Sequence, residues 1–409
     1  MSMPQWICCQ IGAREHYAIP RSLHARDRLF GMIADAWVPP RSMWYVLPTN
    51  VSRSLKERHH PDLASAATRG FTASLIGFEL AQKIRKQTGW PSTIARNHWF
   101  QGKTISVFRS WRGQLDRLNS PPVLFAYSYA ALELFRYAKS EGWTTVLGQI
   151  DPGPVEEDIV RQESDRHPEL AGTWKAAPTS YWDTWQQECE LADRIAVNSP
   201  WSQQALAKAG IHPAKLRVLP LAYQAPIAAA GFQRTYPKSF DRDRPLRVLF
   251  LGQTILRKGL AALLDASARV QSLPVEFWLV GPIGIERSPD LLSQSNLRWI
   301  GPISRSKTAE YYRQADVFLF PTLSDGFGLT QLEARAWHLP AIVSRYCGTV
   351  TADGQDGWVL PEVSGDAIAN ILHTCLERPS ILQNFAVTGT DLSHWSLEAL
   401  YHRLHCVLN

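Results

Sequence analysis

The sequence predicts an α/β chain of two doubly wound halves. Short β-branched or apolar runs alternate with longer amphipathic ones. This alternation occurs twice, before and after a proline- and charge-rich stretch at 225–245. At 409 residues, 45% hydrophobic and 20% charged, the chain is long enough for two domains with separate cores.

In the first half, 7–11 (ICCQI), 32–37, 123–127 (VLFAY), 144–150, 194–198 and 217–221 read as strands, compact runs bounded by polar or turn residues. Between them 17–28, 131–140 and 202–209 read as helices. The stretch APIAAAGFQRTYPKSFDRDRP has no apolar period and reads as the interdomain linker. The second series places strands at 246–251, 275–280, 317–320 and 341–344, and helices at 260–271, 307–314 and 330–337. A last helix at 396–408 carries an apolar stripe of Leu397, Leu400, Leu404 and Val407.

A formal charge of +6 and a pI near 9.0 suit an acidic partner: a phosphate, a nucleotide or an anionic membrane surface. Between 51 and 120, twelve basic residues face four acidic ones. This run reads as a solvated face or as a surface for an anionic acceptor or membrane. The six cysteines show no C-x-x-C spacing, which argues against a disulfide framework or a zinc knuckle and for a reducing compartment. There is no basic leader and no apolar run of about 18 residues, so neither a cleaved signal nor a membrane span is expected. The expected location is cytoplasmic, with peripheral contact at the inner face of a membrane. Of sixteen tryptophans, eleven precede residue 240, where they serve core packing or stack on sugars.

The chemistry concentrates after two strands of the second half. In SDGFGLTQLEARAW, Asp325 and Glu333 bracket Gly326-Phe327-Gly328 at a strand-to-helix turn. There a backbone can approach a ligand closely, and helix N–H groups favour an anion. A capping aspartate with a dipole-complementing glutamate would use the same residues. In LFLGQTILRKG, Arg257 and Lys258 follow a strand ending at Gly252, where two cations can face a diphosphate. Together the two sites point to a nucleoside-diphosphate ligand.

The order of these motifs, with Val280-Gly281-Pro282, Ala315 to Pro321 and Gly354-Gln355-Asp356-Gly357-Trp358, resembles the nucleotide-binding half of retaining glycosyltransferases of family 4. Members have the glycosyltransferase-B (GT-B) fold, two Rossmann-like domains facing a central cleft. The resemblance implies an acceptor-binding domain over 1–235, joined by a terminal helix at 392–409 that crosses back, and a donor-binding domain over 245–391. It also implies donor contacts from Gly12, Gly252, Gly326, Phe327, Gly328, Leu329 and Glu333, with Arg257, Lys258 and Asp325 as the catalytic group. Asp325 stands where the family has a glutamate. Gln253 stands where it often has an arginine, a cation that Arg257 would replace. Ile11 to Tyr17 resembles the family's glycine-rich loop, and His16, Gln149 and Asp151 are the acceptor-side candidates.

The activity implied is transfer of a sugar from a nucleoside-diphosphate sugar to a glycan, lipid or small molecule, with retention and without metal or other cofactor; no nucleic-acid partner is expected. Asp241-Arg242-Asp243 has metal-binding spacing but lies in the linker, and His402 and His405 lack a third ligand. Two rival readings share the fold: a sugar-nucleotide epimerase, and a nucleotide-sugar-binding protein whose catalytic site has decayed.

Overall fold

In the computed structural model, which describes residues 4–46, 55 and 57–408, two parallel sheets organise the described residues. The first half supplies β1 (Trp6–Gln10), β2 (Leu29–Ala34), β3 (Thr68–Gly70), β4 (Val123–Tyr127), β5 (Thr144–Gln149), β6 (Arg194–Val197) and β7 (Leu216–Val218). The second supplies β8 (Leu246–Leu251), β9 (Val275–Val280), β10 (Leu297–Gly301), β11 (Val317–Phe320), β12 (Ala341–Val343) and β13 (Gly357–Val359). Their spatial orders are β3-β2-β1-β4-β5-β6-β7 and β10-β9-β8-β11-β12-β13. Each order reverses direction once, between β1 and β4 and between β8 and β11. Such switch points leave a crevice at the carboxyl ends of the strands.

Strands β4 and β11 are buried along their whole length, which is why they read as unbroken apolar runs. Val317 pairs with Val248 and Phe318 with Leu249, so the loops after β8 and β11 open side by side.

Several elements differ from the sequence reading. The helix expected at 17–28 spans Ala18–His24, preceded by a tight turn in which Glu15, His16 and Tyr17 all adopt left-handed backbone angles. The basic stretch 51–120 is largely two helices, Thr72–Ile84 and Gly89–Leu115. The second buries Phe100, Thr104, Phe108, Trp111 and Leu115 while Lys103, Arg109 and Arg112 stay exposed, a solvated charged face. Arg53 and Lys56 of that stretch lie outside the described residues.

The stretch 225–245 is fastened to the second sheet rather than loose. The buried guanidinium of Arg234 donates to the carbonyls of Tyr312, Ala315 and Trp337, and Phe240 joins the core around β8. The terminal helix Leu397–Leu408 returns to the first sheet, where Leu400, Leu404 and Val407 pack with Trp6, Ile19 and Leu23. The two passages between the sheets meet where the Tyr223 amide donates to the Trp395 carbonyl at 2.8 Å. Tyr223, Trp395, Phe327 and Leu329 share one small apolar cluster.

All six cysteines are free, five of them buried. No helix among the described residues is long and apolar enough to cross a membrane.

Candidate active site

The rim of the second sheet is built by close backbone packing. Gly259 follows the short turn Leu256–Lys258 with φ of 75°, and a Cβ there would stand 1.8 Å from the Pro321 carbonyl oxygen. Only glycine allows the loop after β8 to lie this tightly on the loop after β11. The contact brings Arg257, Lys258 and Asp325 together. The Lys258 ammonium is ion-paired with the Asp325 carboxylate. Arg257 Nη1 donates to the Ser324 carbonyl at 2.9 Å and lies 3.7 Å from Asp325 Oδ2. Burial alone would raise the Asp325 carboxyl, but Lys258 and Arg257 outweigh it and hold it below the usual range. The carboxylate therefore stays charged beside its two cations.

Across the cleft, a Cβ on Gly326 would meet the Ile150 carbonyl oxygen at 2.2 Å. The Ser202 hydroxyl donates to the Gly326 carbonyl at 3.3 Å, and the Trp201 indole N–H to the Ser324 hydroxyl at 3.1 Å. The two sheets thus touch through the Asp325 loop itself. Phe327 is buried, and Gly328, with φ of 81°, packs against Phe320. Leu329 stands at the start of the helix Thr330–Ala336, whose Glu333 accepts from the Tyr312 hydroxyl at 2.8 Å. Gly252, at the end of β8, donates its amide to the Val280 carbonyl at 2.9 Å.

In the first half, the Gly12 amide donates to Asp35 Oδ1 at 2.9 Å. Asp35 is fully buried and pairs with Arg58 and Arg96 at 2.7 and 2.6 Å. A carboxylate directly after the apolar run of β2 was the available signal for this brace. The His16 ring lies on the Arg305 guanidinium of the second half, with contacts of 2.7 and 2.8 Å. Burial first, and then Arg305, lower its pKa to about 4, so it is neutral at pH 7. His16 closes the cleft by touching the second sheet's side.

Gln149 is 1% exposed and its amide is occupied, accepting from Trp185 and donating to Asp151 and the Tyr129 hydroxyl. It braces Asp151 rather than facing a substrate. Asp151 Oδ1 also accepts from the Tyr129 hydroxyl and the Gly153 amide. Tyr129 holds a left-handed φ of 75°, steadied by Glu188, which accepts from the amides of Tyr129, Ala131 and Leu132.

Glu156 was not singled out in the sequence. It sits in the first turn of the helix Pro154–Arg166, 3.5 Å from Arg257 across the cleft. Burial raises its carboxyl to about 7, against the pull of Arg257 and the Ser324 hydroxyl and with Asp151 and Asp325 adding to the rise. Asp241, of the proposed metal-spaced pair, accepts from the amides of Asp243 and Arg244 in a turn. Among the described residues, no cluster of three or more His, Cys, Asp or Glu side chains is placed to hold a metal ion.

Two doubly wound sheets meeting at a charged rim define a GT-B architecture. Sucrose-phosphate synthase from Thermosynechococcus elongatus shares it with a TM-score of 0.63 at 17% identity, over 99% of this chain and 98% of that one. Anabaena HepE, solved in complex with UDP and glucose, shares it with a TM-score of 0.59 at 13% identity, over 99% of both chains. Likeness at these identities shows the fold.

Residues 245–378 match the family model Glycosyl transferases group 1. The D-inositol 3-phosphate glycosyltransferase of Kribbella flavida is 25% identical over 237 residues, which are 52% of this chain and 56% of that protein. The protein of the same description from Rhodococcus erythropolis is 23% identical over 335 residues, 75% of this chain and 65% of that one. The chain therefore spans between about half and two thirds of these curated relatives' length.

Proposed function

We propose that the chain is a retaining, metal-independent glycosyltransferase that moves a sugar from a nucleoside-diphosphate donor to an acceptor hydroxyl. The observation that carries the reading is the Arg257, Lys258 and Asp325 cluster on the rim where the two sheets touch. An ammonium has three N–H donors and a guanidinium five. Pairing with Asp325 leaves both cations able to take diphosphate oxygens as well. Glu333, held by Tyr312, is the partner for ribose hydroxyls, and the amides of Gly328 and Leu329 supply further donors, while the Phe327 amide donates to Asp325 Oδ1 at 3.2 Å.

The step runs on one face of the donor sugar. The bond from the anomeric carbon to the diphosphate oxygen breaks through an oxocarbenium-like state, and the acceptor oxygen bonds to the same carbon from the same side. The acceptor's proton passes to the departing phosphate. Arg257 and Lys258 meet the charge growing on that phosphate, the task a divalent cation performs elsewhere. Closure of the first sheet on Gly326 excludes water.

The family match and the curated relatives are all described as glycosyltransferases, which disfavours epimerisation. The UDP and glucose bound by Anabaena HepE support a nucleotide-sugar donor. A cytoplasmic place, with Lys103, Arg109 and Arg112 turned outward toward anionic lipid, belongs to the same proposal.

A melting-temperature screen of nucleoside diphosphates, followed by transfer assays with the matching nucleotide sugars, tests this reading. A diphosphate that raises the melting temperature, and a sugar transferred from its donor, are the results expected. No response to any nucleoside diphosphate would overturn it.

A further inference from the structure

Several tryptophans of the first half serve its core: Trp6, Trp111, Trp143 and Trp185 are buried. Trp90, Trp174 and Trp182 instead line a cavity of about 360 Å³, together with Tyr129 and Tyr181. That volume lies in the usual range for small-molecule sites, roughly 300–1,000 Å³. The cavity abuts the rim cluster, because Arg257 forms part of its wall.

Its charged groups are mostly acidic. Asp151, Glu156 and Glu157 are in the lining, and Arg257, the one cation lining it among the described residues, is assigned above to the donor diphosphate. Glu157 is committed to the wall itself, accepting from the Trp182 indole N–H at 2.9 Å and the Ala177 amide at 2.6 Å. Glu156 is different. Its Oε2 is buried and has no partner that meets hydrogen-bond geometry within the protein. A buried carboxylate oxygen left without a donor is costly unless something supplies one.

Aromatic faces stack on the C–H faces of a sugar ring, and carboxylate oxygens accept from its hydroxyls. With Arg257 taken by the donor diphosphate, a phosphate brought here would face the acidic side chains of Asp151, Glu156 and Glu157.

We propose that this cavity is the acceptor site and that it takes a neutral, hydroxyl-rich sugar rather than a phosphorylated one. The inference rests on the glycosyltransferase reading above and adds the acceptor class to it. It also separates this chain from what the name of its D-inositol 3-phosphate glycosyltransferase relatives describes. Trp90, Trp174, Tyr181 and Trp182 form the stacking walls, and Glu156 Oε2 accepts from a sugar hydroxyl. A neighbouring hydroxyl of the bound sugar, directed past Arg257 toward Asp325, attacks the donor carbon. The carbon–phosphate-oxygen bond breaks as the new glycosidic bond forms, and the proton leaves with the diphosphate.

The test uses the full chain saturated with UDP and a panel of neutral methyl glycosides, each paired with its 6-phosphate. Binding is read by tryptophan fluorescence and melting temperature. Neutral glycosides should bind, and the phosphate of each binder should be weaker by about tenfold or more. Glu156→Gln and Trp174→Ala should each weaken the neutral binders about tenfold. Trp174 is partly exposed on a loop, and Trp174→Ala should keep the full UDP-dependent rise in melting temperature.

Tighter binding of the phosphates, neutral binding untouched by both substitutions, or no neutral binder in the panel would each overturn the acceptor assignment. If UDP still stabilises the wild-type chain in those cases, the donor reading survives alone. A wild-type chain that ignores UDP and every other nucleoside diphosphate removes both.

Discussion

The Lys258 ammonium sits on the Asp325 carboxylate, although 67 residues separate them in the chain. Two loops from adjacent strands meet there because Gly259 has no side chain to hold Pro321 away. The pair keeps a negative group charged inside the site proposed for a diphosphate, and it fixes the direction of the lysine.

Lys258→Ala should lower turnover by roughly two to three orders of magnitude, the loss expected for one preorganised charge partner of a leaving group. Single-turnover rates with the donor identified by the thermal screen check this. Near-normal turnover would remove Lys258 from the mechanism.

Glu333 is assigned to the ribose, which a double-mutant cycle can isolate. Glu333→Ala should weaken UDP binding by about tenfold, the worth of a charge-assisted hydrogen bond. The same substitution should barely change binding of a diphosphate lacking the ribose 2′- and 3′-hydroxyls. Equal losses for both ligands would place the glutamate elsewhere.

Gly326→Ala puts a methyl group into the Ile150 carbonyl oxygen across the cleft. The two sheets must part to accommodate it. Transfer should fall about a hundredfold, the scale of an ångström's misplacement, while nucleoside diphosphates still raise the melting temperature. Small-angle scattering should show a larger radius for the variant.

Glu156 gives a pH prediction. Its carboxyl is raised from an ordinary 4.5 to about 7, so the folded chain keeps a proton that the unfolded chain releases. The folded state then binds more protons between those values, and stability falls as pH rises through that window before levelling off. Glu156→Gln should remove this part of the slope, a difference from wild type on the order of 3 kcal/mol between about pH 5 and about pH 8. Glu15 and Glu188, both raised to about 7, add slopes of the same sign, and His16, lowered to about 4, adds one of opposite sign. All three cancel in the comparison. Parallel pH profiles for variant and wild type would show that Glu156 is ionised throughout.

Four of the six strands of the second half were readable because burial on both faces leaves apolar runs, as in Val317–Phe320, whereas β10 and β13, with exposed or half-buried positions, were not placed. Likewise, β3 is three residues, Thr68–Gly70, partly or fully exposed at a sheet edge, and carries no such signature. Helices such as Pro154–Arg166 were missed because few of their positions are apolar and only Val155 and Val160 are buried. In the site, Arg257, Lys258 and Asp325 were legible because each lies a few residues beyond a strand end. Asp35, Glu156 and Glu188 were not singled out: Glu156 and Glu188 lie within helices, Glu188 capping a helix start 57 residues before it, while Asp35 directly follows β2 and its signal was passed over. Gln149 shows the converse. It stood at a suggestive position, yet its neighbours Trp185 and Tyr129 use its amide fully.

The 2.8 Å bond from Tyr223 to Trp395 ties together the two lengths of chain that pass between the sheets. The bond couples the two lengths, so a rocking of one lobe on the other carries both together. That tie rests in the same greasy bearing as Phe327 and Leu329, so whatever seats itself on those residues also sets the angle of the jaws.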